Sequence, residues 1–120
     1  VSGTGNRHSV SAAGLWARFG MAIIDHILRD VAERFDVSVS DIKSQRRSRQ
    51  VLPARHVAAY LAHTVSGMSP QAIGEHLGGR DYTNIVMYCR AVARLTGDDE
   101  EFKRVVDELA ASLKSPPELS

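Results

Sequence analysis

Between Ala22 and Leu113 the apolar residues return at steps of three and four, with a break in the rhythm over Val37 to Asp41 and no strand pattern. That period gathers them on one face of a helix, whereas a half-buried strand needs alternation. Ile23, Ile24, Ile27, Leu28, Val31 and Phe35 make the first stripe, and Val57, Ala58, Leu61 and Val65 the second. Ile73 and Leu77 make a short third, and Ile85, Val86, Cys89, Val92 and Leu95 a fourth. Phe102, Val105, Val106, Leu109 and Leu113 close the series. The sequence therefore predicts an all-α domain. Its 120 residues suit one core. With 43% hydrophobic but only 6% aromatic residues, that core must be aliphatic.

Glycine, proline and capping residues punctuate the stripes. Ser40 is placed to cap a short turn from Asp41, and Lys43 to Gln50, without apolar period, reads as a loop. Pro53 suits the first position of a new helix, where a missing N–H costs nothing, and Gly67 suits its end. Ser69-Pro70 starts a short helix that Gly78-Gly79 must stop. Asp81 opens the next helix, Gly97-Asp98 marks a break, and Pro116-Pro117 closes the last helix. Residues 1–20, with Gly3, Gly5, Gly14 and Gly20, read as a loosely ordered arm. Residues 21–114 then form the domain and 115–120 a disordered tail.

The net charge of +1 conceals a segregation. Lys43, Arg46, Arg47, Arg49 and Arg55 are interrupted by no acid, while Asp98, Asp99, Glu100, Glu101, Asp107 and Glu108 face only Lys103 and Arg104. A basic cluster on a near-neutral chain is a local attractor for a polyanion. Other classes fit less well. There is no apolar run of spanning length and no secretory layout at the amino end. A lone Cys89 cannot pair within the chain, which suits a reducing cytoplasm, and it reads as a small buried hydrophobe. His56 and His63 share a helix face, but no H-E-x-x-H, paired cysteines or nearby carboxylates accompany them, so neither a metal site nor an enzyme is expected. Leu15-Trp16-Ala17-Arg18-Phe19 ahead of the Ile-rich helix could lie on lipid, though burial explains the helix more simply.

Two helices, Pro70 to Leu77 and Tyr82 to Leu95, joined by Gly-Gly-Arg, have the layout of a helix-turn-helix, whose second helix enters the major groove. Arg80, Asp81, Tyr82, Thr83 and Asn84 open that second helix, and Ile85 and Val86 should pack inward behind them. The result is a polar tip on an anchored helix. Arg80 can meet phosphate or guanine, Asp81 a cytosine amino group, Thr83 a thymine methyl and Asn84 an adenine edge. The same tip also fits a capped helix start whose side chains are merely solvated.

The run Ile73-Gly74-Glu75-His76-Leu77-Gly78-Gly79-Arg80-Asp81-Tyr82-Thr83-Asn84-Ile85-Val86 resembles the signature of the carboxy-terminal DNA-binding domain of the bacterial replication initiator DnaA family. Arg46-Arg47-Ser48-Arg49-Gln50-Val51 is similar to that family's basic loop, at the matching distance. The resemblance covers Ala22 to Leu113 and implies a helical fold of the Trp-repressor and DnaA-like kind. It implies that Arg47, among the loop arginines Arg46 and Arg49, enters the minor groove. Asp81, Tyr82, Thr83 and Asn84 then read the major groove. His56, Arg80 and the helix start at Pro70-Gln71 meet phosphate, with Arg55 counted in the same basic surface. The implied partner is double-stranded DNA carrying an initiator-box-like site, with other initiator subunits or domains beside it. No small-molecule substrate and no cofactor are implied.

The departures fall on reading positions. The family usually has His where Tyr82 stands and Thr where Asn84 stands, and its Pro-Arg-Gln is here Ala54-Arg55-His56 with the proline one place early. Each altered base contact is worth about 1–3 kcal/mol, so two changes can redirect the target. The sequence has no G-x-x-x-x-G-K-[ST] loop. Two expectations follow: a piece of a full initiator, or a free-standing initiator-like transcriptional regulator with an altered site.

Overall fold

A computed structural model describes residues 23–114, all of whose regular elements are helices. The arm expected over 1–20, with its Leu15–Phe19 patch, and the tail over 115–120 lie outside the described residues. Helix α1, Ile23–Phe35, buries Ile24, Ile27, Leu28, Val31 and Ala32. It ends where Asp36 turns left-handed at φ 58° and the Val37 N–H reaches back to the Ala32 carbonyl at 3.0 Å. That is a Schellman-type end, and Asp is one of the few side chains that tolerate the conformation.

The short helix α2, Val39–Lys43, is capped by Ser38 rather than the expected Ser40. The Ser38 hydroxyl accepts from the Asp41 N–H at 2.9 Å. This register turns Ile42 fully into the core. Helix α3, Val51–Thr64, begins two residues before Pro53, because Ser48 receives its first donors, Val51 N–H at its hydroxyl and Leu52 N–H at its carbonyl. Pro53 still sits in the first turn, where its missing N–H leaves no bond unmade. α3 is the central helix: Val51, Ala54, Val57, Ala58, Ala59, Leu61 and Ala62 are all buried, and its alanines let α1 and the later helices approach closely.

Helix α4, Pro70–His76, starts as expected, with the Ser69 hydroxyl accepting from Ala72 N–H at 3.2 Å. Helix α5, Tyr82–Asp98, packs on both α3 and α4. It runs through Gly97, and the expected break at Gly97-Asp98 falls at Asp99 instead. There the backbone leaves helical space and the carboxylate caps α6, Glu100–Leu113, by accepting from Phe102 N–H at 3.0 Å. One interior glycine costs a helix only about 1 kcal/mol, too little to end one that is packed on both neighbours. α6 lays Val106, Leu109 and Leu113 on the core beside α1 and α5. Of the expected α5 stripe, Ile85 and Val92 are buried, Val86 and Cys89 half-buried, and Leu95 remains 41% exposed. Burial pushes the Cys89 thiol above its ordinary pKa, consistent with packing rather than reactivity. No helix among the described residues is long and apolar enough to cross a membrane.

Candidate nucleic-acid interface

The helix-turn-helix is held by its own turn. The Gly74 carbonyl accepts from the N–H groups of Leu77, Gly79 and Arg80, the last at 2.9 Å. Gly78 and Gly79 have φ of 83° and 79°, a conformation that glycine adopts without the Cβ penalty. A Cβ on Gly74 would lie 2.1 Å from the Arg80 carbonyl oxygen, and one on Gly78 would lie 2.2 Å from that of Lys43. α4, the turn and the end of α2 are therefore in backbone contact. Buried Ile73, Leu77 and Ile85 lock the arrangement from below.

Above that anchor Asp81, Tyr82, Thr83 and Asn84 are all exposed, Tyr82 by 56%. Asp81 has the extended backbone of a cap, but its carboxylate accepts from the Thr83 hydroxyl at 2.5 Å instead of capping α5. That contact commits the Thr83 proton, leaving its methyl as the part free to touch a base. Asn84 makes no such commitment among the described residues.

The basic loop over 44–50 lies beside this tip. Arg46, Arg47 and Arg49 are exposed, and Arg46 makes a long ion pair with Asp41 at 3.4 Å. A pair that open to water contributes little and does not withdraw the charge. Arg47 and Arg49 are in no ion pair among the described residues. The loop and α5 flank an open groove of about 640 Å³, lined by Gln45, Arg47, Arg80, Asp81, Asn84, Met87, Ala91 and Arg94 among others.

Arg55 needs correcting. Expected on the DNA-facing surface, it is 1% exposed. Its Nε donates to the Ile42 carbonyl at 2.8 Å, and its Nη2 donates to the carbonyls of Asp41 and Ser44 at 3.1 and 2.9 Å. It is thus the rivet that fastens the loop to α3. Burial first, and the charge of Arg80 next, hold its pKa below the ordinary arginine range. Arg80 is half-buried: it donates from Nε to the Tyr88 phenol oxygen at 3.2 Å, from Nη1 to the Leu77 carbonyl and from Nη2 to the Ser44 carbonyl. Neither guanidinium has a carboxylate partner among the described residues. Two cations bonded to carbonyls and one phenol oxygen, with no ion pair among the described residues, leave a positive field beneath the groove.

His56 is half-buried in the groove wall, its ring stacked on Tyr88 with centroids 4.4 Å apart and planes at 21°. Burial, then the Arg55 charge, lowers its pKa, so near neutral pH it is an uncharged ring and can offer phosphate only a neutral N–H. At the start of α4, Pro70 has no N–H and that of Ala72 is taken by Ser69, leaving Gln71 as the uncommitted donor of that first turn. Sequence reasoning passed over Met87, Tyr88 and Arg94. Asn84, Met87, Tyr88, Ala91 and Arg94 recur at helical spacing and line the groove together, a stripe visible on a helical wheel once Ile85 and Val92 are known to face inward. Among the described residues no group of three or more His, Cys, Asp or Glu could hold a metal ion, and His63 is instead bound to the Met68 carbonyl at 3.0 Å.

The sequence matches the family model described as the bacterial dnaA protein helix-turn-helix over residues 24–92. It is 37% identical over 91 residues to the chromosomal replication initiator protein DnaA of Aromatoleum aromaticum strain EbN1, covering 76% of this chain and 19% of that protein. Against the protein of the same name from Azoarcus sp. strain BH72 the identity is 36% over 91 residues, with the same coverage. The chain thus spans about a fifth of the length of these relatives. The match contains the basic loop, the Gly74–Asp81 turn and the polar tip of α5, so the chain belongs to the bacterial DnaA helix-turn-helix family of DNA-binding domains.

Proposed function

We propose that this domain binds double-stranded DNA in the manner of a replication initiator, with the start of α5 in the major groove and the 44–50 loop in the adjacent minor groove. The observation that carries this reading is the groove itself. It joins a rigidly anchored polar tip to an exposed basic loop, over two guanidiniums that no carboxylate among the described residues pairs with. Arg47 inserts and supplies charge, Asp81 to Asn84 read base edges, and Arg46, Arg49, Arg80 and the Gln71 N–H meet the backbone. The cellular role that fits is initiation of chromosomal replication or its regulation, alongside other initiator subunits or domains. Tyr82 and Asn84 favour a second reading on specificity alone. A phenol replaces a titratable ring and an amide replaces a methyl, so a regulator with a target of its own fits the same groove.

The test is fluorescence anisotropy of a labelled initiator-box duplex against a scrambled duplex over a salt series. Binding confined to the box supports the initiator role. Equal, steeply salt-dependent binding to both supports a changed target. Absence of binding to either at low salt refutes DNA recognition. Arg47→Ala should weaken both complexes and lower the slope of log K against log salt by about 0.9. Asn84→Ala should instead lose discrimination at one base pair, worth about 1–3 kcal/mol. Parent-like binding by both variants would show the groove assignment to be wrong.

A further inference from the structure

Arg80 and Tyr88 add a direct side-chain link between the loop and α5 to the backbone contact at the turn and to the Arg55 rivet on α3. The loop that carries Arg47 leaves α2 at Ser44, whose carbonyl receives both Arg55 and Arg80. Its hydroxyl donates to the Asp41 carbonyl at 2.6 Å and accepts from the Arg46 N–H at 3.1 Å, so Ser44 fixes where the loop departs. On the other side, Arg80 reaches the body of the recognition helix through one bond, Nε to the Tyr88 phenol oxygen. Tyr88 lies one turn beyond Asn84 on the groove-lining stripe, and its ring is braced by the stack on His56 of α3.

From this geometry we infer that Tyr88 is a positioning residue, a strut that sets the distance and angle between the minor-groove loop and the major-groove tip. The inference rests on the DNA reading above. A protein that grips one duplex from both grooves gains from each contact only if their separation matches the duplex, and base contacts are less forgiving of misplacement than phosphate contacts. Arg80 without its phenol acceptor keeps its bonds to Leu77 and Ser44 but no longer ties them to α5. The chain of contacts is then broken at one oxygen atom, with the His56 stack and the core left intact.

The variant is Tyr88→Phe, which keeps the ring and removes only that oxygen. The DNA probe is the duplex that the parent protein enriches from a randomised pool, compared with a scrambled duplex of equal length. Tyr88→Phe should lower the ratio of specific to scrambled affinity by roughly 2- to 10-fold, the range of one hydrogen bond. The salt slope should stay at the parent value, and the thermal midpoint should fall by no more than the few degrees that one hydrogen bond allows. A merely structural role would weaken both duplexes alike. The decisive readout is a double-mutant cycle with Arg47→Ala. If the strut acts through the loop, Tyr88→Phe should cost specificity in the parent and nearly none once Arg47 is gone. An equal cost in both backgrounds, or no cost in the parent, overturns the strut while leaving DNA reading intact. Failure of the parent to enrich any sequence overturns base reading and the strut with it.

Discussion

A single methyl group distinguishes two glycines of the same domain. Gly74 lies where a Cβ would meet the Arg80 carbonyl oxygen at 2.1 Å, and that atom is backbone, tied to Gly74 through the bond from Arg80 N–H. Gly97 lies inside α5, where no described atom beyond its chain neighbours and its own helix backbone comes within 4 Å of an added Cβ. Gly74→Ala must therefore push the turn away from α4, at a cost of about 1–3 kcal/mol or more. Gly97→Ala should stabilise by about 0.5–1 kcal/mol through helix propensity alone. Urea denaturation of both variants checks this, and equal shifts would contradict the backbone contact. His56 gives a second residue-scale expectation. Its pKa in the fold lies below the ordinary histidine value of 6.5, because burial and Arg55 disfavour the cation. Unfolding then takes up a proton as the pH falls, so its contribution to stability is full above 6.5 and is lost as pH drops through the folded-state value. His56→Gln should flatten the decline in urea midpoint below that pH, and an unchanged profile would show the ring to be solvated. The residue scale is also where sequence reading failed most plainly. Arg55 looks from the sequence like one more member of a basic run. What buries it are three carbonyls 11 to 14 positions upstream, which only the packing of α2 on α3 brings within reach.

Elements were legible as far as their boundaries depended on local chemistry. Ser69-Pro70 and Gly78-Gly79 mark their helix ends within the chain itself, through a hydroxyl cap and two left-handed glycines. Ser38 and Ser40 could each cap α2 on local grounds, and the choice is tertiary. Capping at Ser38 seats Ile42 at 0% exposure, and Asp36 turns left-handed to permit it. Leu95 failed for the opposite reason: its period is right, but α6 leaves α5 at Asp99 and covers it only in part. The cap assignment separates by mutation. Ser38→Ala should cost about 0.5–2 kcal/mol in thermal or urea unfolding, and Ser40→Ala close to nothing. A reversal of the two would place the helix start where the sequence alone suggested it.

At the scale of the whole molecule the charge is distributed as two fields. The groove carries Arg47, Arg80 and Arg94 over the buried Arg55, with Asp81 the acid of its rim. The outer face of α6 carries Glu100, Glu101, Asp107 and Glu108, with Lys103 and Arg104 paired within the helix to Asp107 and Glu101 and Arg34 of α1 paired to Glu108. Those acids line a different surface from the groove, so on the DNA reading proposed above they should make no base or phosphate contact. On that reading their effect should be on approach: an anionic face repels a polyanion that arrives from the wrong side and would leave the groove as the favoured encounter. Such a long-range term fades with screening, since the Debye length is about 10 Å at 0.1 M salt, whereas released counterions at the groove persist as a slope. Neutralising Glu100 and Glu101 together, by Glu100→Gln and Glu101→Gln, should therefore raise the association rate for specific and scrambled duplexes alike at low salt. The gain should shrink toward nothing by about 0.15 M, where the screening length is about 8 Å. The ratio of specific to scrambled affinity should not move, because neither side chain lines the groove. Stopped-flow anisotropy at two salt concentrations measures all three. A change in that ratio would bring α6 into the reading surface itself and make the acidic helix part of the interface rather than its counter-field.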